Sequence, residues 1–168
     1  WQKNFRMEEY VTHELPNLLK DNFPINSDKI GIFGHSMGGH GALTLYLKYP
    51  ALFKSCSAFS PICAPTQCPW GEKAFSTYFG NDREEWKQHD ATELMRNSSL
   101  EYRSEILIDQ GLSDQFLEEQ LHPHLFAEAC ADMNHPLILR QHEGYDHSYF
   151  FIQSFIEDHL RHHAKILT

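Results

Sequence analysis

The chain has 168 residues, of which 41% are hydrophobic and 22% charged, and its formal net charge at pH 7 is −9. This composition predicts one globular domain with a hydrophobic core and argues against a disordered chain. The excess of acidic side chains disfavours nucleic acid and anionic membrane surfaces as partners, and no apolar run is long enough to cross a bilayer.

The first third of the chain predicts a helix, a strand and a second helix. Apolar residues at helical spacing predict an amphipathic helix over residues 5–21, which Pro16 should kink or restart. An apolar run predicts a strand over residues 29–33. Residues 39–49 are apolar nearly all round, which predicts a helix that is buried against a sheet and ended by Pro50.

The rest of the chain alternates strands with helices. Strands are predicted over residues 54–60, 104–109 and 137–141, and short helices over about 72–79 and 82–96. A further helix runs from Pro123 to Met133, and a closing helix has one face marked by Ile152, Phe155, Ile156 and His159. Residues 61–70 form a proline-rich loop of a length that often carries function. This order predicts an α/β fold with a parallel sheet and right-handed crossovers.

One motif, Gly-x-Ser-x-Gly at residues 34–38, lies between a predicted strand and a predicted helix. That order is typical of a nucleophile elbow, in which a tight strand-to-helix turn exposes the serine hydroxyl. Gly34 and Gly38 would allow the close approach of the backbones and a positive φ. Ser36 is therefore the candidate nucleophile, and the backbone N–H of Met37 is the candidate oxyanion donor.

A serine nucleophile needs a base, and the base needs a carboxylate to orient it. In elbow-type hydrolases the acid comes first and the histidine second, each on a loop after a strand. Asp114 and His147 have these positions and are the candidate acid and base. Asp109 stays open as an alternative acid and His142 as an alternative base. Asp146 is a weaker choice, because a sequence neighbour rarely points at the imidazole.

The cysteine and histidine patterns predict neither a metal site nor a cofactor. The cysteines form no Cys-x-x-Cys pair, which fits the reduced core or loop thiols of a cytoplasmic protein; they are Cys56, Cys63, Cys68 and Cys130. Two histidine pairs, His122 with His124 and His159 with His163, lack a third ligand and are interpreted as solvated helix faces. His35, inside the elbow, is expected to shape the turn.

Several segments, taken together, resemble the S-formylglutathione hydrolase (esterase D) family. They are Gly-His-Ser-Met-Gly-Gly-His-Gly-Ala-Leu at 34–43, Ser-Ala-Phe-Ser-Pro-Ile at 57–62, Pro-Trp-Gly-Glu-Lys-Ala-Phe at 69–75, Ile-Asp-Gln-Gly at 108–111, Asp-Gln-Phe-Leu at 114–117 and Gly-Tyr-Asp-His-Ser-Tyr-Phe-Phe-Ile at 144–152. Many esterases share the elbow, whereas the segments at 69–75 and 144–148 are more specific. The resemblance extends from Tyr10 to Lys165.

The resemblance implies an α/β-hydrolase-type fold and a serine hydrolase that needs no cofactor. Such an enzyme hydrolyses S-formylglutathione to glutathione and formate in formaldehyde detoxification, with side activity on short-chain esters. By motif position, Ser36 would be the nucleophile, Asp114 the acid and His147 the base. Trp70 lies in a segment expected to line the substrate site, and its alternative role is to pack under the long loop.

The chain is shorter than members of that family, which place several strands and an oxyanion loop before the matching region. The sequence is therefore expected to form a single partial domain that resembles their C-terminal part. Its strand at residues 29–33 would then present an unpaired apolar edge. A second hypothesis follows: a truncated, weak or inactive fragment that self-associates, for example as a homodimer, or binds partners through this edge. Acyl transfer to an acceptor other than water would use the same triad.

Overall fold

The computed structural model describes residues 4–98 and 104–168, and within them it contains one four-stranded parallel sheet. The strands are β1 (Ile30–His35), β2 (Phe53–Phe59), β3 (Ile106–Gly111) and β4 (Leu137–His142). They lie side by side in chain order, and each neighbouring pair is parallel. The predicted α/β fold with a parallel sheet is confirmed.

Helices connect the strands, as parallel neighbours require. The first helical stretch consists of α1 (Met7–Glu9), a π-helical turn (Tyr10–Glu14) and α2 (Leu15–Asn22). The later helices are α3 (Met37–Lys48), α4 (Pro69–Phe79), α5 (Arg83–Lys87), α6 (Ala91–Arg96), α7 (Pro123–Asp132) and α8 (Tyr149–Leu167). A 3₁₀ turn (Pro65–Gln67) precedes α4, and a second π-helical turn (Leu117–Leu121) precedes α7.

Several boundaries differ from the sequence prediction, and three of them have a clear cause. Residues 82–96 form two helices, because the Asp90 carboxylate accepts hydrogen bonds from the backbone N–H groups of Thr92 and Glu93 and so begins α6. The predicted loop at 61–70 is shorter than expected, since α4 already begins at Pro69, a residue suited to a first turn. The third strand continues to Gly111, where it pairs with β4.

The two faces of the sheet are covered by different helices, and β2 shows how. Alternate side chains of a strand point to opposite faces. Cys56 and Ala58 join the hydrophobic core that contains α3, α6 and α7. Phe59 instead stacks on His159 of α8, with ring centroids 3.7 Å apart. The sheet therefore lies between α8 on one face and α3, α6 and α7 on the opposite face.

The first strand lies at the edge of the sheet. Within residues 4–98 and 104–168, β1 pairs with β2 alone. The side chain of Phe33, in the middle of β1, is 49% exposed. The expectation of an apolar strand edge is confirmed for this part of the chain. In the same ranges, none of the helices has the length and apolar character that crossing a membrane would need.

We expect acid to destabilise the fold as the pH falls from about 6.5 towards 4, because His163 is buried in its neutral form. Ser55 Oγ lies 2.6 Å from His163 Nδ1, and Ser57 Oγ lies 2.8 Å from Nε2. Burial, followed by repulsion from His162 and His159, lowers the pKa of His163 to about 4. The unfolded chain therefore takes up a proton first, and the free energy of unfolding decreases through this window.

The variant His163→Gln tests this expectation. Its amide can still hydrogen bond to the serines but carries no titrating proton. Urea unfolding between neutral pH and about pH 4 should show a smaller loss of stability in the variant. An equal loss in both proteins would mean that other groups cause the acid sensitivity.

Candidate active site

Ser36 occupies the turn between β1 and α3 in a strained backbone conformation, with φ 57° and ψ −115°. Such values are rare for residues other than glycine and cluster at functional sites. The Ser36 N–H donates to the carbonyl of Phe59 at 2.9 Å, which attaches the turn to β2. A Cβ atom on Gly34 would lie 2.3 Å from the carbonyl oxygen of Gly38, so the turn requires glycine there. The chain thus holds Ser36 on the tight strand-to-helix turn that the motif predicts.

The structure brings Asp114 and His147 together from two different connections. Asp114 follows β3, and His147 lies between β4 and α8; His147 Nδ1 is 2.6 Å from Asp114 Oδ2. The carboxylate also accepts hydrogen bonds from Phe116 N–H at 2.9 Å and from Gln110 Nε2 at 3.3 Å. Burial alone would raise the pKa of Asp114, but the hydrogen bonds from His147, Phe116 and Gln110 have the larger effect, so this pKa lies below its ordinary value. Asp114 is therefore an ionised, oriented partner for the imidazole.

His35 locates this pair relative to the elbow. Its ring centroid is 4.4 Å from that of His147, and His35 is the residue directly before Ser36. Burial, followed by the nearby charge of His147, lowers the pKa of His35. His35 is thus neutral at neutral pH and packs His147 against the end of β1.

Asp109, the alternative acid, belongs to a separate buried network. Both of its oxygens accept hydrogen bonds from Arg140, each at 2.6 Å, and His159 Nε2 lies 3.1 Å away. Burial alone would raise the pKa of Asp109, yet hydrogen bonds from His159 and Arg140, with the His142 ring close by, hold that pKa far below the usual value. The network joins β3, β4 and α8, so Asp109 serves the fold at this position.

The other two alternatives also have partners of their own. The ring of His142 stacks on Phe155 with centroids 3.9 Å apart, and its Nε2 lies 3.2 Å from Asp109. The carboxylate of Asp146 accepts a hydrogen bond from the N–H of Ser148 at 3.0 Å, just before α8 begins. Asp109 and His142 are therefore also close together, but they lie in the buried network with Arg140. The pair of Asp114 and His147 is the one whose imidazole packs on His35, directly before Ser36.

A cavity of about 470 Å³ opens beside Ser36, and its lining is mainly apolar. Met37 and Trp70 contribute to its walls, together with aromatic side chains of α4. Met37 is the first residue of α3, where backbone N–H groups have no partner inside the helix. The N–H of Trp70 donates to Gln120 Oε1 at 3.0 Å, which fixes this side of the cavity. The structure therefore places Ser36, Met37 and Trp70 around one apolar space.

No group of three or more metal-ligating side chains occurs in the part of the chain that the structure describes. The interpretation of His159 and His163 as a solvated face is wrong, because both are buried on the inner face of α8. There they contact Asp109 and the two serines of β2. His124 is exposed, whereas His122 is half-buried.

The four cysteines are free and buried, as the sequence predicts. Burial raises the pKa of the Cys63 thiol well above its ordinary value and that of Cys130 to about 12. Thiols of this kind are unreactive at neutral pH.

Sequence reasoning missed three residues that hold the site together: Gln110, Phe116 and Gln120. Gln110 and Phe116 lie in segments that resemble the hydrolase family, but nothing in their residue types indicated a role. Their contacts depend on how separate connections meet in the fold. The order of the chain alone does not show this.

Comparison with known proteins identifies the family. Residues 1–162 match a family model described as "Putative esterase". The chain is 54% identical over 169 residues to an S-formylglutathione hydrolase of Rattus norvegicus, a match that covers 100% of this chain and 60% of the relative. It is 52% identical over 167 residues to the S-formylglutathione hydrolase of Paracoccus denitrificans, covering 99% of this chain and 59% of that protein.

A solved structure gives the same result in three dimensions. An S-formylglutathione hydrolase from Agrobacterium tumefaciens superposes with a TM-score of 0.95 at 48% identity, covering 100% of this chain and 60% of that one. The chain thus spans about 60% of the length of the relatives it matches. Its resemblance to S-formylglutathione hydrolases is confirmed, and the chain belongs to the esterase family.

Proposed function

We propose that this chain carries the catalytic triad of a serine hydrolase, with Ser36 as nucleophile, His147 as base and Asp114 as acid. The observation that carries the proposal is the 2.6 Å contact between His147 and Asp114, held against the residue next to a strained Ser36. The Asp114 carboxylate accepts a hydrogen bond from His147 Nδ1–H, so the proton stays on Nδ1 and Nε2 keeps its lone pair to act as a general base. This arrangement suits acyl transfer through a serine ester.

The reaction proceeds in two halves. Ser36 Oγ attacks the acyl carbonyl while His147 Nε2 takes the hydroxyl proton, and the resulting oxyanion accepts a hydrogen bond from Met37 N–H. The bond to the leaving group then breaks, and His147 returns the proton to the departing thiolate or alkoxide. Water, deprotonated by the same imidazole, attacks the Ser36 ester, and breakdown of the second tetrahedral intermediate releases the acid and restores the serine.

We assign thioesters and small esters as the substrates, with S-formylglutathione first among them. The support is that the relatives described above are S-formylglutathione hydrolases. In that reaction the products are glutathione and formate, which would place the whole protein in formaldehyde detoxification. The apolar cavity beside Ser36 supports a second activity on short-chain esters. Four reduced thiols favour the cytoplasm as the compartment.

Release of glutathione from S-formylglutathione by the purified chain tests this function. We expect turnover that the variant Ser36→Ala loses. If Met37 supplies a single oxyanion donor, the rate should be about 10²–10³ below that of a two-donor site. Glutathione release that is equal in the wild type and the variant, or absent from both, would contradict the proposal.

In the part of the chain that the structure describes, β1 pairs with β2 on one side only, and this edge favours a second candidate role, which is association of two chains through this strand. Phe33 is half-exposed on this strand. Light scattering on the same samples separates the two roles. A monomer with clear turnover supports the hydrolase, whereas an associated chain without turnover supports the binding role.

A further inference from the structure

Phe116 contacts the candidate acid, the candidate base and the cavity wall. Its backbone N–H donates to Asp114 Oδ1 at 2.9 Å. Its ring packs at 85° to the ring of His147, with centroids 5.1 Å apart. On another side, the ring lies 4.7 Å from that of Trp70. One half-buried side chain thus lies between the base and the substrate cavity.

The segment after Phe116 holds Trp70 as well. The π-helical turn at Leu117–Leu121 begins at the next residue and carries Gln120, whose side chain is buried. Gln120 Oε1 accepts the hydrogen bond from the N–H of Trp70 at 3.0 Å. Short π-helical turns occur frequently at functional sites. Both the backbone and the ring of Trp70 are therefore attached to the segment that contains Phe116.

We propose that Phe116 is a positioning residue that couples the Trp70 wall of the cavity to the orientation of His147. The inference rests on the proposed function, in which His147 is the base and Trp70 faces the substrate. When a bound acyl or leaving group displaces the Trp70 ring, the Phe116 ring in contact with it moves as well. This movement changes the orientation of the His147 imidazole, which packs on Phe116. Small errors in the position of a catalytic group can cost about 100-fold in rate. Phe116 thereby couples ligand binding in the cavity to the orientation of His147.

Three single variants test the positioning role. Phe116→Leu removes the ring and keeps an apolar side chain, whereas Phe116→Tyr keeps the ring. Phe126→Leu makes the same aromatic truncation in the core, where the side chain is fully buried. The readouts are the low-field proton resonance of the His147–Asp114 hydrogen bond and the rate at which an organophosphonate labels Ser36.

We expect Phe116→Leu to shift or broaden the low-field resonance and to slow labelling on the order of 10- to 100-fold. Phe116→Tyr should stay close to the wild type, and Phe126→Leu should keep the resonance while losing only stability. An unchanged resonance in Phe116→Leu, or the same change in Phe126→Leu, would overturn the positioning role.

The coupling itself is tested by Trp70→Leu in two backgrounds. In the wild type this change should move the low-field resonance, and in Phe116→Leu it should add nothing. Equal shifts in both backgrounds would overturn the coupling. The low-field resonance can be measured without turnover, so it tests the positioning role of Phe116 separately from the proposed hydrolase activity. Failure of the wild type to label at Ser36 would instead contradict the proposed hydrolase function.

Discussion

Replacement of Asp114 by asparagine should lower hydrolysis by about 10⁴-fold while leaving the fold intact. The Asp114 carboxylate accepts a hydrogen bond from His147 Nδ1 at 2.6 Å. An amide can present its NH₂ group to Nδ1 instead. The imidazole would then carry its proton on Nε2, where it can no longer take the proton of Ser36. Kinetics on a chromogenic short-chain ester, with circular dichroism to verify folding, measure the effect.

Asp146→Asn is the matched control for this prediction. Asp146 is one residue from His147, but its carboxylate accepts from the N–H of Ser148, and asparagine can make the same hydrogen bond. We expect a change of no more than a few-fold. Comparable losses in the two variants would show that general negative charge near His147, and not the contact with Asp114, supports the reaction.

The second large effect is expected from Gly34→Ala, through the geometry of the elbow. The new Cβ would lie 2.3 Å from the carbonyl oxygen and 2.4 Å from the carbonyl carbon of Gly38, and both are backbone atoms. The turn must open to relieve this contact, which should cost about 3 kcal/mol of stability and displace Ser36. Urea unfolding and labelling of Ser36 measure the two consequences.

Gly41→Ala, in the helix α3 that follows the elbow, should have the opposite effect on stability. Nothing lies within 4 Å of a Cβ built at Gly41. Alanine should therefore stabilise α3 by about 0.5–1 kcal/mol, because it loses less backbone freedom on folding. If Gly34→Ala were as well tolerated as Gly41→Ala, the tight approach of the elbow backbones would not be required for folding.

The local signals in the sequence predicted most of the fold. The strand before Ser36 and the helix after it follow from apolar patterning and the glycines of the motif, which act over a few residues. The start of α7 at Pro123 follows from the preference of proline for a first helical turn. The order of Asp114 and His147 followed from the rule for elbow-type hydrolases, and both lie on the expected connections.

Other features could not be predicted, because they depend on contacts between distant segments. From the sequence, His159 and His163 are interpreted as a solvated face, whereas α8 buries both of them together with Phe151. The buried ring of His163 forms hydrogen bonds with two serines of β2, which lie more than a hundred residues earlier in the chain. Likewise, the sequence could not assign Asp109 to a structural network, because its partners Arg140 and His159 come from β4 and α8, far along the chain.

Labelling of the intact chain by an organophosphonate, with the modified residue located by peptide mass spectrometry, tests the role of Ser36 as the nucleophile. The triad places the reactive hydroxyl at Ser36, so the wild type should carry one phosphonyl group there. The variant Ser36→Ala should carry none, and His147→Ala should label far more slowly. Labelling that persists in Ser36→Ala, or that maps to another residue in the wild type, would contradict the account.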